Sequence, residues 1–236
     1  MTGGGEGGGV SRNDVLEGRK PVGQQSRDTQ EHILKVASRL MQTGGYHAFS
    51  YADIAAEVGI TKASIHYHYP SKADLGQEAL HTYRTGWQHD LRRLTLLGST
   101  EARLRGYSRV YRDLLRGGGF CLVAALAPGT LLLPGAMQAE LSAFYSEHQE
   151  WLEGVLWAGQ TDQTLKVSGP LRVHAQTLIS VLHGAMGLAR AQRDVTLYCA
   201  AAHLTLQHLG LPVAELEISD PADAGRAELA AGLTFV

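Results

Sequence analysis

Thr61, Lys62, Ser64, His66, Tyr67, His68 and Lys72, with Ala63 among them, crowd hydroxyl, ammonium, imidazole and phenol groups into one short stretch. No nucleophile, base and orienting group stand together there, so the chemistry is recognition. Hydroxyls and rings pair with polar edges, and ammonium groups pair with anions such as phosphate. A second place for chemistry is Cys121, just after Gly117-Gly118-Gly119 and near the start of a predicted helix. A helix N-terminus lowers a thiol pKa and favours the reactive thiolate, to which Arg116 would add; a small core residue is the alternative. A third group, Trp87, Tyr107, Tyr111, Phe144 and Trp151, offers either effector-pocket walls or plain core. No carboxylate dyad, phosphate loop or metal spacing accompanies them, and none of the 11 histidines pairs with another at i, i+3 or i, i+4. The expectation is a protein without catalytic residues, metal or cofactor.

Local signals set the elements that hold the first stretch. Ser50 is a good N-cap, and Asp53 three residues on completes a capping-box pair. Ile54, Ala55 and Val58 then share one helical face, and Gly59 gives the unhindered backbone for a turn through Thr61. A short helix follows from Lys62 to about Tyr69, stopped by Pro70. Ser71, with Asp74, caps the next helix, which places Lys72 at an N-terminus that favours a phosphate. Upstream, Arg27 to Thr43 reads as a bracing helix with Ile33, Leu34, Ala37, Leu40 and Met41 on one stripe. Two short helices meeting at a glycine turn form a helix-turn-helix, and the second suits a DNA major groove.

Residues 27 to 95 resemble the TetR family of one-component transcriptional regulators. The resemblance falls on Ala52, Ile54, Ala55, Gly59, Ser64, His66, His68, Tyr69 and Lys72. It implies that Thr61, Lys62, Ala63, Ser64, Tyr67 and His68 lie at or near DNA, beside the phosphate contact that a helix N-terminus gives Lys72. His66 stands where most members carry a phosphate-touching tyrosine, so its grip depends on the protonation of its ring. The segment around Cys121 is loosely similar to a NemR/AcuR-like subgroup, in which a cysteine follows a glycine-rich turn in the regulatory domain.

The fold class expected is all-α: an N-terminal three-helix helix-turn-helix DNA-binding domain plus a C-terminal helical ligand-binding and dimerisation domain. The divisions are a glycine-rich disordered tail (1–25), the DNA-binding domain (26–72), the effector-binding and dimerisation domain (73–212) and an acidic tail (213–236). In the tail, Arg12, Arg19 and Lys20 would suit a minor-groove arm. Helices are predicted over Lys72 to Leu94, Glu101 to Arg116 with Thr100 as cap, Cys121 to Ala127, Pro134 to Trp157, Pro170 to Arg190 and Asp194 to Leu209. By the family resemblance, the last two pair with their copies as a four-helix bundle.

The net charge of -2 is not that of a general nucleic-acid binder, so DNA affinity must come from charge placement in a homodimer on a palindromic operator. No segment reaches membrane-spanning length and two cysteines are too few for a disulfide framework, which predicts a cytoplasmic protein. The reading is a repressor released by a small-molecule effector, including a thiol-reactive electrophile or oxidant sensed at Cys121. A ligand-binding dimer without operator binding and a thiol-dependent enzyme are the alternatives.

Overall fold

Ser50 begins the reading head as its type and spacing dictate. Its backbone N–H and its hydroxyl both donate to Asp53 Oδ2, at 2.7 and 2.8 Å, while Ser50 Oγ accepts from the Ala52 N–H. The computed structural model describes residues 22–212. Its helices are α1 (Val22–Gly44), α2 (Tyr51–Val58), α3 (Lys62–His68), α4 (Lys72–Thr95) and α5 (Thr100–Arg116). They continue with α6 (Leu122–Leu126), α7 (Gly135–Thr161), α8 (Leu171–Gln192) and α9 (Val195–His208). Short 3₁₀ turns fill Tyr46–Ala48 and Ala127–Leu132. The fold is all-helical, with no strand among the described residues. The basic arm and the acidic tail predicted above lie outside those residues.

Three boundaries differ from the sequence expectation, one of them the end of α7, which runs on from Trp157 to Thr161. Helix α1 starts at Val22 and not near Arg27, because Gln24, Gln25 and Ser26 continue the helical backbone without an apolar stripe to announce it. Helix α5 is capped by Ser99, whose hydroxyl accepts from the Ala102 N–H at 3.1 Å, while Thr100 is buried inside the first turn.

The buried apolar side chains form one continuous cluster from Ile33 to Leu211. Helix α4 supplies the continuity. Its first turns bury Leu75, Ala79 and Leu80, and its later turns bury Tyr83, Trp87 and Leu91. Arg84 on α4 donates to Glu140 at 2.8 Å and also to Glu147, and Gln88 donates to Glu147 at 2.9 Å, which fastens α4 along α7. Near the start of α4, Gly76 lets α7 come close: a Cβ there would lie 2.6 Å from the Met137 sulfur.

Gly59 ends α2 in the left-handed region, φ 76°, with its N–H bonded to the Ala55 carbonyl. Nothing lies within 4 Å of the place a Cβ would take, so a side chain there costs backbone strain alone. Gly59→Ala is expected to destabilise the protein by about 1–2 kcal/mol without altering the helical content of the folded state. Thermal denaturation followed by circular dichroism checks this, and an unchanged midpoint would contradict it.

Candidate functional site

Helix α3 is held from behind and bare in front. Ile65 is fully buried beneath it, and the buried Tyr51 hydroxyl on α2 donates to the Tyr69 carbonyl at 2.9 Å. Thr61 caps α3 by accepting from the Ser64 N–H at 3.2 Å, and the two hydroxyls lie 2.9 Å apart. Lys62, Ala63, His66 and Tyr67 are exposed, Tyr67 at 82%, while Ser64 and His68 are half-buried. A large aromatic ring thus stands bare beside a lysine and two hydroxyls.

His66 and Lys72 are placed differently from their expected roles. His66 Nδ1 lies 3.1 Å from the Pro70 carbonyl and its ring lies edge-on to Tyr51, with centroids 4.7 Å apart. A carbonyl only accepts, so Nδ1 carries the hydrogen and Nε2 of the neutral ring is an acceptor. Only the protonated ring would donate outward to a phosphate. Lys72, predicted to reach a phosphate, instead donates its ammonium to the Phe49 carbonyl and sits over the Phe49 and Tyr46 rings, 4.1 and 4.9 Å from their centroids. Burial of the ammonium lowers its pKa. In this arrangement Lys72 clamps the chain before α2 onto the start of α4, and Lys62 is the exposed cation on α3.

In the second unit the predicted aromatics come together, as packing. Trp87 contacts Tyr111 (centroids 4.8 Å), Tyr107 (6.0 Å) and Phe144 (6.1 Å), and Tyr107 stacks on Trp151 at 5.5 Å. Trp87, Tyr107, Tyr111 and Phe144 are all essentially buried. His148, which the sequence reading did not single out, completes the group: it is buried, stacks on Phe144 at 3.9 Å and lies 4.8 Å from Trp87.

A chain of hydrogen bonds runs outward from it. His148 Nδ1 to Tyr107 Oη is 2.9 Å, Tyr107 Oη to Tyr111 Oη 3.2 Å, Tyr111 Oη to His183 Nε2 3.3 Å and His183 Nδ1 to Tyr145 Oη 3.3 Å. Tyr145 and His183 border a groove of about 270 Å³ between α7 and α8, with Gln149, Gln176, Ile179 and Ser180. None of the five predicted aromatics lines this groove. The spacing of Tyr145 with Gln149 and of Gln176 with Ser180, one helical turn each, is the signal that would have found it.

Cys121 is the N-cap of α6, its sulfur accepting from the Ala124 N–H at 3.5 Å, as its position after the glycines predicts. The expected lowering of its pKa does not follow. The residue is sealed in the core, and burial pushes the thiol up more than its contacts with Tyr83 and the backbone N–H groups pull it down. Desolvation outweighs the short helix N-terminus.

A braced short helix with a bare polar face, set on an all-helical second unit, defines a helix-turn-helix DNA-binding regulator. Comparison with known proteins gives the particular family. The sequence profile of bacterial regulatory proteins of the tetR family matches residues 33–79. A TetR-family transcriptional regulator from Agrobacterium tumefaciens is similar at 32% identity and TM-score 0.76, over 78% of this chain and 98% of that one. A TetR transcriptional regulator from Legionella pneumophila is similar at 30% identity and TM-score 0.70, over 77% and 97%. The reduced form of NemR from E. coli, 21% identical over 79% of this chain and all (100%) of that one at TM-score 0.69, shares the fold. The HTH-type transcriptional regulator AcrR of Shigella flexneri is 38% identical over 55 residues, 23% of this chain and 26% of that protein. This match thus spans about a quarter of the curated relative's length. The chain belongs to the TetR family of transcriptional regulators.

The buried histidines make stability depend on pH. Burial lowers the pKa of His183 from the ordinary 6.5 to about 4 and that of His148 well below 6.5. Between those limits the unfolded chain binds protons that the folded chain refuses, so stability falls as pH falls, by about 1.4 kcal/mol per pH unit for each histidine. Asp90 acts oppositely. Its buried carboxyl, pushed up to about 6, is protonated in the folded chain while ionised in the unfolded one, which offsets one histidine from there down to the ordinary carboxylate range. Denaturant titrations between pH 4.5 and 6.5, roughly the span between the folded and unfolded values, are expected to show a shallower pH slope for His148→Gln. A slope equal to wild type would contradict the buried neutral imidazole.

Proposed function

We propose that the protein represses transcription as a homodimer on a palindromic operator and leaves it when a small-molecule effector binds the helical domain. The observation that carries the DNA reading is the bare face of α3 over a buried Ile65, on a head that runs into the second unit through helix α4. Thr61, Lys62, Ala63, Ser64, Tyr67 and His68 face the DNA in this reading, Lys62 gives the phosphate contact, and Lys72 holds the head in shape. His66 adds a donor only when its ring is protonated.

The homodimer is supported by a stripe on α8. Val173, Thr177, Gly184, Leu188 and Ala191 are exposed on one helical face, with the exposed Leu204 on α9. Apolar side chains around Gly184 on one exposed face suit close packing against a second copy. Two heads on a two-fold axis double the phosphate contacts that one nearly neutral head lacks.

The effector works by population shift: it must bind the DNA-incompetent form more tightly than the competent one. A non-covalent ligand is favoured over attack at Cys121, because the thiol is buried and protonated. A solved structure of a transcriptional regulator from Saccharomonospora viridis, 21% identical to this chain at TM-score 0.64, is described in complex with choline, which supports occupancy of this fold by small molecules.

Fluorescence anisotropy on DNA recovered by the protein from a random pool tests the DNA face. Lys62→Ala is expected to weaken binding across sequences and to reduce the salt slope by about 1. Unchanged affinity and slope would remove Lys62 from the interface. For the thiol route, N-ethylmaleimide is expected to leave the DNA binding of wild type and Cys121→Ser alike, without release through Cys121. Release abolished in Cys121→Ser would restore the sensor reading.

A further inference from the structure

The groove between α7 and α8 is lined without any ionised group. Burial holds His183 neutral, its pKa lowered to about 4, and holds Tyr145 protonated, its pKa pushed up to about 12. Gln149, Gln176 and Ser180 are uncharged and Ile179 is apolar. A charged ligand would find no counter-ion among these six side chains. The volume of about 270 Å³ lies just under the roughly 300–1,000 Å³ of drug-sized sites, which suits a small molecule.

The hydrogen-bond chain behind the groove fixes the sense of its polar atoms. Its buried end, His148 Nε2, has no partner among the described residues. A hydrogen on Nε2 would be an orphaned buried donor, and orphaned N–H groups are rarer than under-satisfied acceptors. On that ground we assign the hydrogen to Nδ1, from which it is donated to Tyr107. Tyr107 then donates to Tyr111, Tyr111 to His183 Nε2, and His183 Nδ1 to Tyr145. The Tyr145 hydroxyl accepts from within and is left to donate into the groove.

The acceptors come from α8. Gln176 spends an amide hydrogen on Gln149 Oε1 at 3.0 Å, and Gln149 donates to Glu153 at 3.1 Å. That leaves Gln176 Oε1 and Ser180 Oγ, both on exposed residues and both without a partner among the described residues.

We propose that this groove binds an uncharged amide-type molecule, whose carbonyl oxygen accepts from Tyr145 and whose N–H donates to Gln176 or Ser180. The proposal rests on the reading that the helical domain takes a small-molecule effector. It places that effector beside the packed cluster of Trp87, Tyr107, Tyr111 and Phe144, at the outer end of the chain that leads into it.

Titration of the full-length protein with 2-pyrrolidone, acetate or tetramethylammonium, followed through the side-chain amide signals of Gln149 and Gln176 by NMR, tests it. 2-Pyrrolidone is expected to give saturable shifts at both signals, and the two ions none. Gln176 and Ser180 are exposed, so Gln176→Ala and Ser180→Ala should fold. Gln176→Ala is expected to weaken 2-pyrrolidone binding by about threefold or more, the share of one hydrogen bond. Equal shifts with the ions, no saturable shift with 2-pyrrolidone, or unchanged binding in both variants would overturn the proposal. A separate arm measures DNA release by a panel of neutral, anionic and cationic small molecules. A compound that releases wild type and Gln176→Ala equally would keep the effector reading and remove the groove from it. Failure of every compound would count against the effector reading, while the NMR result still decides the groove.

Discussion

Everything in this molecule depends on the burial of one face of α4. The helix begins under the reading head, where the Ser71–Asp74 capping box starts it and Lys72 clamps it to the Phe49 carbonyl. It ends inside the second unit, where Trp87 is buried among Tyr107, Tyr111, Phe144 and His148. Between these points Arg84 reaches Glu140 and Glu147 on α7. Its charge is desolvated only in part, and both carboxylates raise its pKa, so the pairing fixes the alignment of α4 on α7 as much as it adds stability. A change in how α7 and α8 pack must move α4 or break these contacts.

That constraint gives the proposed switch its physical content. Close-packed interiors yield by discrete repacking and not by gradual deformation, so two arrangements of α4 against α7 are what an effector can choose between. The coupling is bounded by the ligand's preference for one arrangement over the other. The chain from Tyr145 to His148 ends against the Trp87 ring, so a ligand that recruits Tyr145 acts on hydrogen bonds whose far partner touches α4. Arg190 at the end of α8 is a second link to the head. It donates to the Gln42 carbonyl on α1 at 2.8 Å and lies over the Phe120 ring.

The parts of the site that could be read in the sequence are those decided within a few residues. Ser50 with Asp53, Gly59, Pro70, and Ser71 with Asp74 fix caps, turn and stop by local chemistry, and the structure places each as expected. The start of α1 leaves no mark in the sequence because polar residues carry no period, and Ser99 is masked by Thr100, another residue type that caps helices. Cys121 has two readings in the sequence, a reactive thiolate and a small core residue, and only packing separates them. Contacts from elements far along the chain bury it as core, and desolvation is invisible in local sequence. The His148–Tyr107 and His183–Tyr111 pairs join residues 41 and 72 positions apart, so no spacing rule exposes them. Lys72 was correctly placed at a helix start, yet its side chain turned inward to a carbonyl that sequence could not locate.

The central claim is that the bare faces of two α3 helices read DNA together. Hydroxyl-radical footprinting of the wild-type protein on a DNA selected from a random pool tests this most directly. The account predicts two protected patches related by a two-fold axis, on successive major grooves about 10 base pairs apart. A single unsymmetrical patch, or no DNA recovered by the selection, would contradict it.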